Sequence, residues 1–136
     1  MLASERERST RFLRANQTMS DPIAIAATAD GLQPTLDLDH LAQASQQLIE
    51  AGRALDAAGQ VPATGGNFSC RLSDRLMAVT ASGCHKGRLT SGDILVSDFA
   101  VRLQGTSRKA SDEARLHGQL YEDLPHAQAI LHTHSR

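Results

Sequence analysis

Two histidines stand two residues apart near the end of the sequence, as His132 and His134 in the stretch "AILHTHSR". The apolar run before them is typical of a buried β-strand. Because neighbouring side chains of a strand point to opposite faces, the two imidazoles should share a face, about 7 Å apart at Cα. Such a pair can bind one Zn²⁺, although a zinc site needs further ligands. The alternative is a pair of exposed or hydrogen-bonded histidines at a strand end.

A glutamate, Glu113, is placed for acid–base chemistry near the start of a predicted helix. Ser111 is a suitable N-cap, the helix dipole favours carboxylates in the first turn, and Pro125 ends the helix. The helix carries Leu116, Leu120 and Leu124, and its inward face is predicted to include Leu116, His117 and Leu120. Glu113 shares that face, so we expect its carboxylate to lean towards the interior, where it could transfer protons. The alternative is an exposed carboxylate that interacts only with the helix dipole.

Three short segments have the composition of anion-binding turns: "GGN", "SGCHKG" and the predicted helix start at Ser111. Glycines let the backbone approach a ligand closely, and adjacent peptide N–H groups or a helix N-terminus can hold a phosphate. Side-chain hydroxyl, amide and ammonium groups can add hydrogen bonds. The groups that could bind an anion in these segments belong to Gly65, Gly66, Asn67, Ser82, Gly83, His85, Lys86 and Ser111. Each segment taken alone is more typical of an ordinary surface turn.

Hydrophobic spacing and turn residues predict the elements that position these groups. A first helix should begin at an N-cap, Asp37 or Asp39, and run to about Ala58, with Gly59 as its stop. Period-two alternation and turn signals predict the strands. The predicted strands cover 68–72, 75–80, 94–97 and 126–134, with a tight turn at 73–74 and a further pairing segment at 101–105.

The composition bounds the class of protein. The 136 residues suffice for one domain, and a hydrophobic content of 40% with a net charge of -1 is ordinary for a soluble globular protein. No basic stripe suggests nucleic acid as a partner, and no apolar run is long enough to cross a membrane. Cys70 and Cys84 do not predict a disulfide framework. Without an apolar secretory signal, we expect a cytoplasmic protein.

The first 33 residues differ from the rest of the chain. They alternate charges and then become rich in alanine and proline, so we predict a disordered extension over 1–33 and a domain over 34–136. Glu5 and Glu7 argue against a transit peptide, which is normally poor in acidic residues. Met19 is an alternative start of translation.

Four of these segments stand in a recognisable order: "GGNFS", "TASGCHKG", "KASDEARLH" and "AILHTHS". Over residues 38–135 the chain resembles the class II aldolase/adducin family. The resemblance implies an α/β fold with three layers (α/β/α) and a central, largely antiparallel sheet, incomplete at the C-terminus. It also implies a small-molecule sugar phosphate as substrate and a homotetramer as the assembled state.

The resemblance assigns roles to the residues already singled out. It implies that Glu113 is the catalytic acid/base and that His132 and His134 bind one Zn²⁺ per subunit. A third zinc ligand is expected from a downstream histidine that the sequence, up to Arg136, does not contain. Five candidates match the family's phosphate-binding positions: Gly66, Asn67, Ser82, Gly83 and Ser111. Lys86 joins them because of its positive charge.

The "SGCHKG" segment further resembles one branch of the family, a group of lyases. That branch dehydrates 5-methylthioribulose 1-phosphate to 2,3-diketo-5-methylthiopentyl 1-phosphate in methionine salvage. One alternative is a class II sugar-phosphate aldolase or epimerase, which would use the same site. Another is a non-catalytic remnant that binds partner subunits, since a metal site with too few ligands binds zinc weakly.

Overall fold

The structure is a computed structural model that describes residues 35–134. The predictions of a disordered extension over 1–33 and of a start at Met19 lie outside the described residues. Helix α1 (Leu38–Ala57) begins at the N-cap Asp37, whose carboxylate accepts hydrogen bonds from the backbone N–H groups of Asp39 and His40 at 3.0 and 3.1 Å. Of the two predicted caps, Asp37 is therefore the one used. Gly59 follows the helix with φ +70°, as expected of a C-terminal stop.

Four antiparallel strands form one sheet in the order β3-β2-β1-β4. The strands are β1 (Asn67–Arg71), β2 (Leu76–Thr80), β3 (Ile94–Asp98) and β4 (Ala129–His132). The Ser73 hydroxyl accepts a hydrogen bond from the Leu76 N–H at 3.1 Å and closes the predicted turn between β1 and β2. The segment at 101–105 contributes an isolated bridge between Leu103 and Ser97, not a strand.

Helix α2 (Ala114–Asp123) and helix α1 cover opposite faces of the sheet. One hydrophobic cluster joins α1 to Phe68 and Cys70 of β1, and the other joins Ala114 and Tyr121 of α2 to the opposite face. Both faces of the central strands are therefore buried, as in a three-layer protein. This arrangement confirms the predicted α/β/α fold with an antiparallel sheet.

The predicted start and apolar face of α2 are wrong. The helix begins at Ala114 with Glu113 as its N-cap, because the chain directly before Ser111 is still held at the sheet by a bridge between Ala110 and Ala81, the residue after β2. Leu116 is 59% exposed. The buried residues of the helix are Ala114, His117, Gly118 and Tyr121. This face can be buried because the polar groups of His117 and Tyr121 find partners inside the protein.

The prediction of a buried strand before the histidines is also wrong. Strand β4 alternates exposed and half-buried residues, and Leu131 is 46% exposed. Among residues 35–134, β4 has only β1 as a neighbour. It is therefore an edge strand in the part of the chain described. No helix of these residues has both the length and the apolar character that a membrane span requires.

Candidate active site

The pairing of β1 with β4 determines where the candidate metal ligands lie. Asn67 is paired with His132, and directly opposed residues of antiparallel strands project from the same face of the sheet. Ser69 and Ile130, the next pair on this face, contact residues of the α2 layer. His132 therefore projects towards the helix that follows Glu113.

Gly66 allows the turn before β1 to lie against the end of β4. Its φ is +75°, in the left-handed region, and a Cβ at this position would lie 2.6 Å from the His132 carbonyl oxygen. Only glycine satisfies both conditions without displacing the strand. The position of the His132 backbone thus depends on this glycine.

Glu113, His132 and His134 converge at this end of the sheet. His132 Nδ1 lies 2.8 Å from Glu113 Oε2, and the two imidazole centroids are 4.9 Å apart. One candidate ligand atom from each of the three residues lies within 4.8 Å of the others. His134 lies beyond the strand, and its backbone N–H donates to the Gln60 carbonyl at 3.0 Å, which fixes the segment after β4.

This donor set fits a zinc ion. Zinc is commonly bound by imidazole nitrogens and carboxylate oxygens, and catalytic sites combine three protein ligands with an open position. The two histidines and Glu113 supply such a set within the described residues. Within the described residues, the Glu113 carboxylate is therefore the candidate third ligand beside the two imidazoles.

The prediction that Glu113 leans into the apolar interior is wrong. Its side chain is 47% exposed. Glu113 is the N-cap of α2 and does not lie on the buried face of that helix, so its carboxylate projects beside His132.

The predicted anion-binding turns meet close to these residues. The Asn67 side-chain amide is fully buried and donates to the Ser111 hydroxyl at 3.0 Å. The Ser82 N–H donates to the Lys109 carbonyl at 2.8 Å, next to a bridge between Ala81 and Ala110. The segments that contain Asn67, Ser82 and Ser111 are thus joined at one end of the sheet.

Two glycines and one amide offer unused hydrogen-bonding groups at this end. The Gly66 and Gly83 N–H groups have no acceptor within residues 35–134, and both glycines have a left-handed φ, +75° and +73°. The buried Asn67 Oδ1 also has no partner there. Free peptide donors in such turns are suited to an anion, whereas the Asn67 oxygen can accept from a hydroxyl.

Lys86, a predicted phosphate contact, is buried between two of these turns. Its side chain is 1% exposed, and its ammonium donates to the Cys84 and Thr64 carbonyls at 2.7 and 3.2 Å. Burial lowers the pKa of this lysine. The ammonium is used within the protein, because the turn that contains Lys86 packs against α1 and its side chain reaches these two carbonyls.

Sequence reasoning missed a buried polar group behind the candidate metal site. The Ser69 hydroxyl lies 2.7 Å from His117 Nδ1 and 2.9 Å from the Tyr121 hydroxyl. Burial, reinforced by the nearby His132, lowers the pKa of His117 to about 4, whereas the Glu113 carboxylate opposes this shift. Burial raises the pKa of Tyr121 to about 12. Both side chains are therefore neutral at pH 7.

The signal for this group was present but ambiguous. His117 and Tyr121 are four residues apart on one helical face, which a buried hydrogen-bonded pair requires. Polar residues of this kind are normally assigned to the surface unless an internal partner is known. That partner, Ser69, is remote in sequence.

A family comparison matches residues 46–136 to the class II aldolase and adducin N-terminal domain. Among curated proteins, the chain is 54% identical over 90 residues to the methylthioribulose-1-phosphate dehydratase of Methylococcus capsulatus, covering 65% of this chain and 43% of that protein. It is 46% identical over 104 residues to the dehydratase of Stenotrophomonas maltophilia strain R551-3, covering 75% and 49%. The chain spans about half the length of the curated relatives it matches.

Solved structures show the same fold. YgbL of Klebsiella pneumoniae, described as a putative aldolase/epimerase/decarboxylase, aligns with a TM-score of 0.65 and 26% identity, covering 71% of this chain and 46% of that one. The L-fuculose-1-phosphate aldolase of Thermus thermophilus aligns with a TM-score of 0.60 and 32% identity, covering 69% and 47%. The match to the family and the likeness to these proteins confirm the resemblance and the fold predicted from the sequence.

Proposed function

The chain belongs to the class II aldolase and adducin family, and we propose that it carries the metal-binding and phosphate-binding residues of a lyase that dehydrates 5-methylthioribulose 1-phosphate. The observation that carries this proposal is the convergence of Glu113, His132 and His134 beside the anion-binding turns. Support for the substrate comes from relatives 44–54% identical that are named methylthioribulose-1-phosphate dehydratase.

Phosphate binding is assigned to the turns at the end of the sheet. The free N–H groups of Gly66 and Gly83 would donate to phosphate oxygens, and the exposed Ser82 hydroxyl would add a third donor. The Asn67 Oδ1, an acceptor without a partner among the described residues, would accept from a substrate hydroxyl. Ser111 would act by holding the Asn67 amide.

His132, His134 and Glu113 would hold one Zn²⁺ per subunit. Bound zinc supplies a Lewis acid beside the carbonyl oxygen of a 2-keto sugar phosphate. Glu113 is the proposed acid/base: its carboxylate removes the proton at C3 and returns a proton to the C4 hydroxyl, which leaves as water. The resulting enol rearranges to the 2,3-diketone, so that the reaction removes one water and changes no oxidation state overall.

Further properties of the proposed enzyme are those that the family resemblance implies. We assign it to methionine salvage, expect it in the cytoplasm and expect the assembled enzyme to be a homotetramer. Because the chain spans about half the length of the relatives it matches, the activity is proposed for the site that its residues form.

A sugar-phosphate aldolase is the second candidate. It is favoured by the structural likeness to an L-fuculose-1-phosphate aldolase at 32% identity. Such an enzyme would bind the same phosphate but break the C3–C4 bond. The higher identity to the dehydratases favours the first candidate. A non-catalytic subunit that assembles with other subunits is a third candidate, favoured by the short span of the chain against its relatives.

The experiment is a product assay with the purified, zinc-supplied chain. We incubate it with 5-methylthioribulose 1-phosphate and follow diketone absorbance, and with fuculose 1-phosphate and follow aldehyde and triose-phosphate release. Diketone formation that is lost in Glu113→Gln supports the dehydratase. Triose-phosphate release would identify an aldolase, and a chain that binds zinc without forming either product would favour the non-catalytic subunit.

A further inference from the structure

Lys86 lies between the two glycine turns of the candidate phosphate site. Its ammonium donates to the carbonyl of Thr64, two residues before Gly66, and to the carbonyl of Cys84, directly after Gly83. One side chain thus joins two loops that are remote in sequence. At 1% exposure, it joins them from beneath.

The backbone of Lys86 is itself held firmly. It belongs to a 3-10 turn (Lys86–Arg88) that packs against α1. The contact is so close that a Cβ at Gly52 would overlap the Lys86 carbonyl. The Lys86 backbone is therefore fixed by its packing against α1. The two loops that its side chain joins have less regular structure.

One of these loops has a backbone conformation that needs support. Ala63 has φ +55° and Gly66 has φ +75°, both in the left-handed region. For a non-glycine residue such as Ala63 this conformation is unfavourable and persists where surrounding contacts fix it. The bond from Lys86 to the Thr64 carbonyl lies between these two residues.

The ammonium also has no carboxylate within salt-bridge distance in residues 35–134. Burying a cation is unfavourable unless its hydrogen bonds are made and an opposite charge is near. Two carbonyls satisfy two of its three donors. A phosphate bound by the adjacent turns would supply the missing negative charge.

From this geometry we infer that Lys86 is a positioning residue: it holds the Gly66 and Gly83 turns at the separation at which their N–H groups bind one phosphate, without touching the phosphate itself. The inference rests on the phosphate site of the proposed function. It replaces the direct contact predicted from the sequence with an indirect role.

The test compares Lys86→Met with the unsubstituted chain, both without metal or substrate. Methionine keeps most of the unbranched apolar stem and removes the ammonium, with both its donors and its charge. Inorganic phosphate is titrated and followed through the backbone amide resonances of Gly66 and Gly83, and ¹⁵N relaxation reports the order of both turns on the picosecond–nanosecond scale. Arg75→Met is the matched control, because it removes one exposed cation from the turn at the other end of β1.

The inference predicts that Lys86→Met raises the Kd for phosphate roughly tenfold or more and lowers the order parameters of both turns. Val79 and Leu95 in the sheet should keep their order parameters, and Arg75→Met should change neither quantity. Lys86→Gln has a shorter side chain that keeps one polar group. Its Kd for phosphate and its order parameters should lie between those of Lys86→Met and the unsubstituted chain, and it can still be measured if Lys86→Met does not fold.

Three results would overturn the inference. An unchanged Kd for phosphate in Lys86→Met would show that phosphate binding does not need the hydrogen bonds from Lys86 to the two turns. A raised Kd with fully ordered turns would show that the charge acts directly. Absence of any phosphate-induced shift at Gly66 and Gly83 in the unsubstituted chain would overturn the phosphate site of the proposed function as well, whereas loss of turnover or zinc binding alone would leave the inference standing.

Discussion

At the scale of single residues, the candidate site depends on a carboxylate at a helix entrance and two imidazoles at a strand end. Glu113 precedes α2, so its side chain is free to approach His132 from outside the helix. Glu113 Oε2 lies 2.8 Å from His132 Nδ1. This oxygen would leave His132 to coordinate a metal or to transfer a proton, and it cannot do both at the same time. We expect Glu113 to hold the metal before substrate binds and to act as the base afterwards.

His117 should make stability depend on pH. Its pKa falls from 6.5 to about 4 on folding, so the unfolded chain binds the proton more tightly. The stability associated with neutral His117 is complete above pH 6.5 and is lost as the pH falls towards 4, a difference on the order of 3 kcal/mol. The groups facing His117 are Ser69, Tyr121, Glu113 and His132.

The measurement is the free energy of unfolding by denaturant between pH 4 and 7 for the unsubstituted chain and for His117→Gln. Glutamine can still hydrogen-bond the Ser69 hydroxyl but does not titrate. We predict a flatter pH profile for the variant across this range. An equal slope in both proteins would show that His117 does not titrate with a lowered pKa.

At the scale of secondary-structure elements, Gly66 connects the turn before β1 to the position of β4. In Gly66→Ala, the new Cβ would lie 2.6 Å from the His132 carbonyl oxygen unless the strand moves. We therefore predict a loss of stability of about 2 kcal/mol or more and a weakened affinity for Zn²⁺, since His132 would shift from its partners. Chemical denaturation and a zinc competition titration measure the two effects.

Gly59→Ala is the matched control for this change. Gly59 has a similar φ of +70°, but a Cβ there meets nothing within 4 Å. In Gly59→Ala the free energy of unfolding should fall only by the cost of placing alanine in the left-handed region, about 1 kcal/mol, and the affinity for Zn²⁺ should be unchanged. If both variants weakened zinc binding equally, the contact between Gly66 and β4 would not position the site.

Helices and strands can be predicted from the sequence where a local pattern of residues is sufficient to determine them. Asp37 as a cap, Gly59 as a stop and the apolar spacing of Leu48 and Ile49 indicate α1 without knowledge of the rest of the fold. Period-two patterning similarly predicts β1, and turn residues beside apolar runs predict β2 and β3. The convergence of Glu113 with the two histidines was expected from the family resemblance, because no local pattern states that a helix entrance meets a strand end.

The errors concern features that tertiary contacts decide. The spacing of Leu116, Leu120 and Leu124 predicts an apolar face, but the helix buries the neighbouring face because Ser69 satisfies His117 and Tyr121. Lys86 is predicted to contact phosphate because of its positive charge, but its side chain is buried and one of the two carbonyls that hold it, that of Thr64, comes from a distant segment. Sequence spacing alone does not identify these partners.

At the scale of the whole molecule, β4 leaves an unpaired edge, within residues 35–134, next to an exposed apolar residue. Leu131 is 46% exposed and lies opposite Phe68, on the side of the sheet that α1 covers elsewhere. Edges of this kind promote association between chains, and a lysine on the edge opposes it. We predict that Leu131→Lys shifts the chain towards monomer, as measured by size-exclusion chromatography with light scattering over a range of concentrations.

Leu124→Lys is the control, because Leu124 is similarly exposed, at 42%, but follows α2 and lies away from the sheet edge. It should leave the association unchanged. An equal effect of both substitutions would attribute the association to general surface charge and not to the β4 edge.

Zinc binding tests the central claim most directly, since every proposed step depends on the convergence of three side chains at one end of the sheet. Isothermal titration with Zn²⁺, and absorption spectra with Co²⁺ as a probe, should give one ion per chain. His132→Ala and His134→Ala should each weaken binding by about 100-fold or more, Glu113→Gln should weaken it less, and exposed His40→Ala on α1 should not change it. Zinc affinity that is unaffected by both His132→Ala and His134→Ala would contradict the account.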